Sequence, residues 1–292
     1  MSEKNRATTV GIVVKPQPQT AVPVLSSLVS WLDENKLDYR IDPIGTQLLQ
    51  RSGNGAVERS EMPELCDVIV VLGGDGTLLS AARHLHRREI PIIGVNLGRL
   101  GFLTEIPTAE MIATLDAYLE GRADIQYRMM LLVRLIRGGE CLATFNCLND
   151  AVLNKAALAR IIHFSVEVGG QWLTDMRADG LIVATPTGST AYNLAAGGPI
   201  LTPGMGAVII SPLCPHTLSM RPLIMEGRDT IRVTLLQDSG EVYLTADGQM
   251  GHPLQINDQV LISKSPHRTP LVVRENRDYF ALLRQKLGWG AR

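Results

Sequence analysis

The sequence predicts an α/β domain built on a parallel sheet, then a β-rich, antiparallel, sandwich-like domain, and finally a helix that packs back on the first. Three observations carry this reading. Up to about residue 120, short β-branched runs alternate with stretches of helical apolar spacing, the pattern of parallel βαβ units. From about Tyr127 onward, short strands of alternating polarity succeed one another between turn residues, which fits antiparallel sheet. The tail, residues 277–287, returns to helical spacing with Phe280, Leu283 and Leu287 as its apolar positions. A chain of 292 residues has the length for two domains with a core each. The expected division is residues 1–125 with tail 270–292, against residues 126–269.

Taken in order, residues 10–14 read as a buried strand, and residues 22–37 as a helix with Val24, Leu25, Leu28, Val29 and Leu32 on one face. The polar stretch 44–63, with Gly53-Asn54-Gly55, reads as an exposed loop. Residues 68–72 form a second strand, followed by Gly73-Gly74-Asp75-Gly76 and a helix over 77–86. Residues 90–95 give a third strand and 109–120 a further helix, with the hinge at 121–128. The second domain then places strands at 130–136, 141–145, 163–168, 181–184, 208–210, 230–236, 241–246 and 260–264.

Composition excludes several classes. The formal net charge is −1, from 28 basic and 29 acidic residues, without the basic excess of a nucleic-acid binder. Four cysteines without a CxxC spacing give neither a disulfide framework nor a metal site. The apolar run 10–14 is too short for a signal segment or a membrane span, so the expectation is a cytoplasmic protein with no membrane partner.

Two motifs carry chemistry. Gly73-Gly74-Asp75-Gly76-Thr77 lies between a strand and a helix, at the sheet edge where open α/β proteins bind ligands. Glycines let a phosphate approach the backbone, and the helix N-terminus offers unpaired N–H groups to an anion. A carboxylate is a poor phosphate ligand, so Asp75 is expected to bind Mg²⁺, to take a proton from an attacking hydroxyl, or to cap the helix. The second motif runs from Asp179-Gly180 through an apolar strand into Thr185-Pro186-Thr187-Gly188-Ser189-Thr190-Ala191-Tyr192, with Gly197-Gly198-Pro199 beyond. Backbone N–H groups, hydroxyls and an aromatic face together suit a nucleotide, while a Ser/Thr capping loop is the plainer alternative.

GGDGT, NLGRLGFL at 96–103, DG with TPTGSTAY, GGPIL, PHTLSMRPL at 215–223 and Asp247-Gly248-Gln249 together resemble the NAD kinase family, in order and over residues 73–249. GGDG also occurs in lipid kinases and phosphofructokinases, whereas TPTGSTAY after DG is particular to NAD kinases. The resemblance implies Mg²⁺-dependent transfer of the ATP γ-phosphate (or phosphate from polyphosphate) to the 2′-hydroxyl of the adenosine ribose of NAD. It implies Asp75 as proton acceptor with Gly76 beside it at the dinucleotide. It further implies dinucleotide contacts from Asn149, Asp150, Arg160, Arg177, Asp179, Thr187, Gly188, Ser189, Thr190, Ala191, Tyr192 and Gln249. Magnesium, or another divalent cation, would arrive with ATP rather than in a protein metal site, and the assembly would be a homodimer or homotetramer. The family has Asn-Glu where this chain has Asn149-Asp150, an acid one methylene shorter, which leaves its reach to the ribose open. The competing readings are a GGDG-type lipid or sugar kinase, a non-catalytic NAD-binding module, and an NAD-dependent dehydrogenase, the last without a Rossmann fingerprint.

Among the remaining polar residues, His84 and His86 face different ways on one helix, and His163 reads as a structural strand residue. His216, inside PHTLSMRPL, stands out more, with loop packing at least as good a reading as a functional one, and Arg87-Arg88 read as complements to a helix dipole.

Overall fold

The computed structural model describes residues 8–50, 56–85, 88–156, 160–237, 240–274 and 277–290. The chain divides into two units, Met1–Tyr127 with Thr269–Arg292, and Arg128–Arg268. Gly53-Asn54-Gly55, His86 and Arg87 lie outside the described residues.

In the first unit, β1 (Thr9–Val14), β2 (Asp38–Ile41), β3 (Val68–Gly73) and β4 (Ile92–Asn96) are parallel in the order β2-β1-β3-β4, and the short β5 (Ile106–Pro107) pairs in parallel with the end of β4. β3 is buried along its whole length, as the unbroken apolar run Val68-Ile69-Val70-Val71-Leu72 requires of a strand covered on both faces. β4 begins at Ile92 rather than at residue 90, because Pro91 has no N–H to give the ladder; its carbonyl still accepts Ile69 N. The helices are α1 (Pro18–Glu34), α2 (Pro43–Leu48), α3 (Met62–Leu65), α4 (Asp75–Leu85) and α5 (Met111–Leu119). Leu25, Leu28 and Leu32 of α1 are fully buried in one cluster with Val10, Ile12 and Val70. The stretch expected as a loop holds α2 and α3. α2 is capped by Asp42, whose Oδ1 accepts Gly45 N at 2.8 Å.

β1 lies between β2 and β3, so the chain leaving β2 must pass to the other side of β1. This is the topological switch at which such sheets open a crevice beyond the carboxyl ends of their strands. The GGDG turn leaves β3 at this edge.

Among its described residues, the second unit has strands as its regular structure, apart from the 3₁₀ turn at Gly188–Thr190 and the single-turn α6 (Tyr192–Ala195). Its strands are β6 (Ile125–Arg137), β7 (Glu140–Cys147), β8 (Asp150–Lys155), β9 (Ile162–Val168), β10 (Gln171–Ala178), β11 (Gly180–Ala184), β12 (Ala207–Leu213), β13 (Leu223–Glu226), β14 (Ile231–Leu235), β15 (Val242–Ala246), β16 (Met250–Leu254) and β17 (Gln259–Val272), the first beginning in the first unit and the last running on into it. One antiparallel sheet has the order β13-β12-β11-β8-β15-β16; β10, β9, β14 and β17 form another antiparallel run. Leu153, Leu181 and Leu244 from the first meet Phe164, Val166 and Val233 from the second in a single buried core, so the unit is a sandwich.

Six of the described strands were not expected from the sequence: β2, β5, β8, β10, β13 and β16. All but β8 lie at sheet edges, where half-buried strands carry a weaker apolar signal; β16 even contains Pro253, which an edge tolerates.

The tail returns to the first unit as α7 (Tyr279–Leu287), capped by Asp278 through Ala281 N at 2.9 Å and ended by Gly288 at φ 68°. Its buried residues are Leu282 and Leu283, while Phe280, expected to be buried, is 61% exposed. At about 100° per residue, Phe280 stands about 110° from the centre of that stripe, too far round for a short helix to cover it. Lys286 lies close to the stripe's axis.

Candidate functional site

α4 begins at Asp75 itself, so the carboxylate does not cap the helix; Gly74 O instead accepts Thr77 N and Leu78 N. The Asp75 side chain turns to the loop that follows β4. Oδ1 accepts Leu103 N, Thr104 N and Thr104 Oγ1, each at 3.0 Å, and Oδ2 accepts Phe102 N at 2.9 Å. The two segments meet because β3 and β4 are neighbours, with Gly73 opposite Asn96. Asn96 shapes the loop from its root, since its Oδ1 accepts Gly98 N at 2.6 Å and its Nδ2 donates to Arg99 O at 2.5 Å and to Thr104 O at 3.3 Å. Gly101 is obligatory: a Cβ there would stand 2.0 Å from Asp75 Oδ1. Oδ1 is therefore saturated, whereas Oδ2 keeps lone-pair capacity. A Cβ at Gly74 or Gly76 would meet nothing within 4 Å, so the helix start has room beside it.

In the second unit an aspartate repeats this pattern. Asp247 Oδ1 accepts Asn149 N at 2.7 Å and Asp150 N at 3.1 Å, and Oδ2 accepts Leu148 N at 2.9 Å. Asp247 holds a left-handed φ of 49°, which Asp tolerates better than most residues. Asp150 is buried beside it, and burial first, then the charge of Asp247, raises its carboxyl to about 7.

The Thr185–Tyr192 motif leaves β11, opposite Asp150 at the start of β8. Thr185 N donates to Asn149 O at 2.8 Å, Thr185 Oγ1 donates to Leu148 O at 2.6 Å, and that hydroxyl accepts Gly188 N at 3.0 Å. A Cβ at Gly188 would fall 2.1 Å from Asn149 O, so glycine is what lets the loop close on Asn149. Thr187 is buried too. The fully buried Ser189 spends its hydroxyl inside the fold, donating to Pro186 O at 2.6 Å and accepting Leu201 N at 3.0 Å. Thr190 and Ala191 are half-buried, and Tyr192 is 47% exposed. Asn193, missed in the sequence, is a fully buried tie that donates to Ser189 O and Pro199 O, both at 3.0 Å, and accepts Ser211 Oγ at 2.7 Å. It explains the second glycine of GGP, because a Cβ at Gly198 would lie 2.0 Å from Asn193 Oδ1.

Asp179 is half-exposed and pairs with Lys155 Nζ at 3.4 Å. Arg177 is exposed on β10, and its carbonyl accepts the backbone N–H of His216 at 2.9 Å; His216 is itself exposed. Arg160 is exposed ahead of β9, and Gln249 is exposed in the turn between β15 and β16, its N–H on Ala246 O. Asp75 and Gly76 belong to the first unit; the other twelve belong to the second, where Asn149, Asp150, Thr187 and Gly188 are gathered around one strand junction. Arg88 does more than complement a dipole, since its Nη1 donates to Pro63 O at 2.5 Å. The described residues contain no group of three or more His, Cys, Asp or Glu able to hold a metal ion, and no helix long and apolar enough to cross a membrane.

Comparison with known proteins gives one consistent result. The family model for the ATP-NAD kinase N-terminal domain matches residues 10–123, and that for the ATP-NAD kinase C-terminal domain matches residues 148–274. An NAD kinase of Geobacter metallireducens is 46% identical over 269 residues, 92% of this chain and 94% of the relative. One of Solibacter usitatus is 44% identical over 284 residues, 97% and 98% of the two chains. Among solved structures, yeast NADH kinase complexed with NADH superposes with a TM-score of 0.89 at 24% identity, over 99% of this chain and 90% of the other. An NAD kinase from Archaeoglobus fulgidus in complex with ATP gives 0.75 at 23% identity, over 96% and 99%.

Proposed function

Because this chain belongs to the ATP-NAD kinase family and carries its phosphotransferase activity toward NAD, we propose how its residues divide that work. Residues 1–125 with the tail 270–292 form the domain that carries the proton acceptor, and residues 126–269 the domain that binds the dinucleotide. The donor is ATP, with magnesium entering as part of the ATP substrate on its phosphates. The acceptor is the 2′-hydroxyl of the adenosine ribose of NAD.

The observation that carries the mechanism is the asymmetry of Asp75. With Oδ1 saturated by three donors and Oδ2 held by one, Oδ2 is the oxygen that takes the proton of the attacking hydroxyl. The proton leaves late in a loose phosphoryl-transfer transition state, so positioning matters more than base strength. The open start of α4 at Gly74 and Gly76 receives the phosphates. In the other domain, Asn149, Asp150, Thr190, Ala191 and Tyr192 contact the dinucleotide, joined by Arg160, Arg177, Asp179 and Gln249. Thr187, Gly188 and Ser189 serve through the backbone shape of the loop, since they are buried in it. The four free cysteines suit a reducing compartment, and we place the enzyme in the cytoplasm as a homodimer or homotetramer.

The test is an assay with NAD, ATP and Mg²⁺ in which product is read by an NADP-specific dehydrogenase. NAD is expected to be phosphorylated while diacylglycerol and fructose 6-phosphate remain inert; comparable turnover of either would overturn the assignment.

A further inference from the structure

All of the Asp75 carboxylate's partners among the described residues lie in three consecutive residues, Phe102, Leu103 and Thr104. The geometry of this acid is therefore only as firm as that loop. Asn96 braces the loop from the sheet side. The C-terminal tail holds it from the other. Lys286 Nζ donates to Leu100 O at 2.7 Å, and the same ammonium sits 5.5 Å from the centroid of the Phe102 ring. Beyond the loop, Arg277 Nε donates to Glu105 Oε2 at 2.7 Å and Nη1 to Gln126 Oε1 at 2.6 Å, an ion pair whose side chains are 9% and 8% exposed. The tail thus grips the chain at residues 100, 102 and 105, on both sides of the N–H groups that orient Asp75.

The grip is also selective. Oδ1 has three donors, and the loss of one would leave two. Oδ2 has Phe102 N alone, and Phe102 is the residue whose ring the Lys286 ammonium covers.

We propose that Lys286 is a positioning residue for the phosphoryl transfer: through Leu100 and Phe102 it sets the orientation of Asp75 Oδ2, with the Arg277–Glu105 pair as the fixed end of the strap. This rests on the reading of Asp75 as proton acceptor. Lys286 is exposed on its helix, so its removal is expected to leave the fold intact.

Lys286→Met keeps the length of the side chain and removes both the donor and the charge. Because a displacement of a reacting group by a fraction of an ångström already costs rate, kcat is expected to fall about tenfold. The KM for NAD should stay within about twofold, and the melting temperature should not move. Lys286→Arg, which restores the cation and a donor, should recover most of kcat. In the Asp75→Asn background, Lys286→Met should add no further loss, because both changes act through one group. An unchanged kcat in Lys286→Met, beside a collapsed kcat in Asp75→Asn, overturns the strap and leaves the base assignment standing. A fall in kcat that tracks a lower melting temperature and is not recovered by arginine, or a full tenfold loss on top of Asp75→Asn, also overturns it. A kcat that survives Asp75→Asn removes the base assignment itself, and the strap with it.

Discussion

Asp75 and Asp247 make nearly the same local structure in different settings. Each carboxylate gathers three successive backbone N–H groups from a segment distant in sequence: 102, 103 and 104 for Asp75, and 148, 149 and 150 for Asp247. What differs is the setting. Asp75 opens an 11-residue helix at a sheet edge, between glycines with open space beside them. Asp247 sits in a hairpin turn with a left-handed φ, and its backbone closes on Asp150, whose carbonyl accepts Asp247 N at 3.0 Å. The hydrogen-bond pattern marks a carboxylate used to fix a loop; only the surroundings decide whether a reacting group can also come to it.

The comparison breaks most sharply on isosteric loss of charge at Asp75. Asp75→Asn keeps the size and a carbonyl acceptor, so the loop at 102–104 retains part of its anchor. Loss of a positioned base costs about 10²–10⁴ in rate. Affinity for NAD should change by less than about tenfold, or 1.4 kcal/mol. Steady-state kinetics and NAD titration calorimetry on this one variant provide both quantities. A raised KM with kcat intact would make Asp75 a ribose ligand and erase the contrast with Asp247.

The converse holds for Asp247. Asp247→Ala leaves three N–H groups without their acceptor and puts alanine at a positive φ, which together cost about 2–4 kcal/mol. The melting temperature should drop, while kcat of the molecules that remain folded changes little. A collapse of kcat at unchanged melting temperature would move Asp247 from scaffold to chemistry.

The sequence made the two ends of this comparison unequally visible. GGDG stands out because it joins a β-branched strand to a helical run, and the parallel unit was legible from the same periodicities. The partner of Asp75, in contrast, lies 27 to 29 residues away, and nothing in local spacing announces that Thr104 and Phe102 turn back to it. Asp247 shows the same blindness: DGQ could be matched to a family pattern, yet its hold on Asn149 and Asp150 spans up to 99 residues. The inward roles of Gly188 and Ser189 were hidden as well, since a run of glycine and hydroxyl residues looks the same whether it faces a ligand or its own fold. Phe280 was misplaced because helical spacing gives a stripe without saying how much of a short helix the stripe can bury.

The subtlest contrast is electrostatic. Asp150 is buried next to the anchored charge of Asp247, and its carboxyl is raised from 3.8 to about 7. The native state therefore holds its proton more tightly than the unfolded chain does. Between those two values the folded protein binds the extra proton, so stability falls as pH rises from about 4 to about 7, and the whole penalty is present above that. Asp150→Asn removes the titrating group and keeps its size. Near pH 4 the wild-type side chain is already neutral in the fold, and the substitution should gain almost nothing there. At pH 8 it relieves a buried charge. The full linkage corresponds to about 4 kcal/mol, and with local relaxation and water around the carboxylate we expect about 1–2 kcal/mol. For a protein of this size that is a rise of about 2–5 °C in melting temperature, measured without ligand. A gain that is flat from pH 4 to pH 8, or one that grows toward acid, would mean that Asp150 is ionised throughout and that its pairing with Asp247 carries no electrostatic cost.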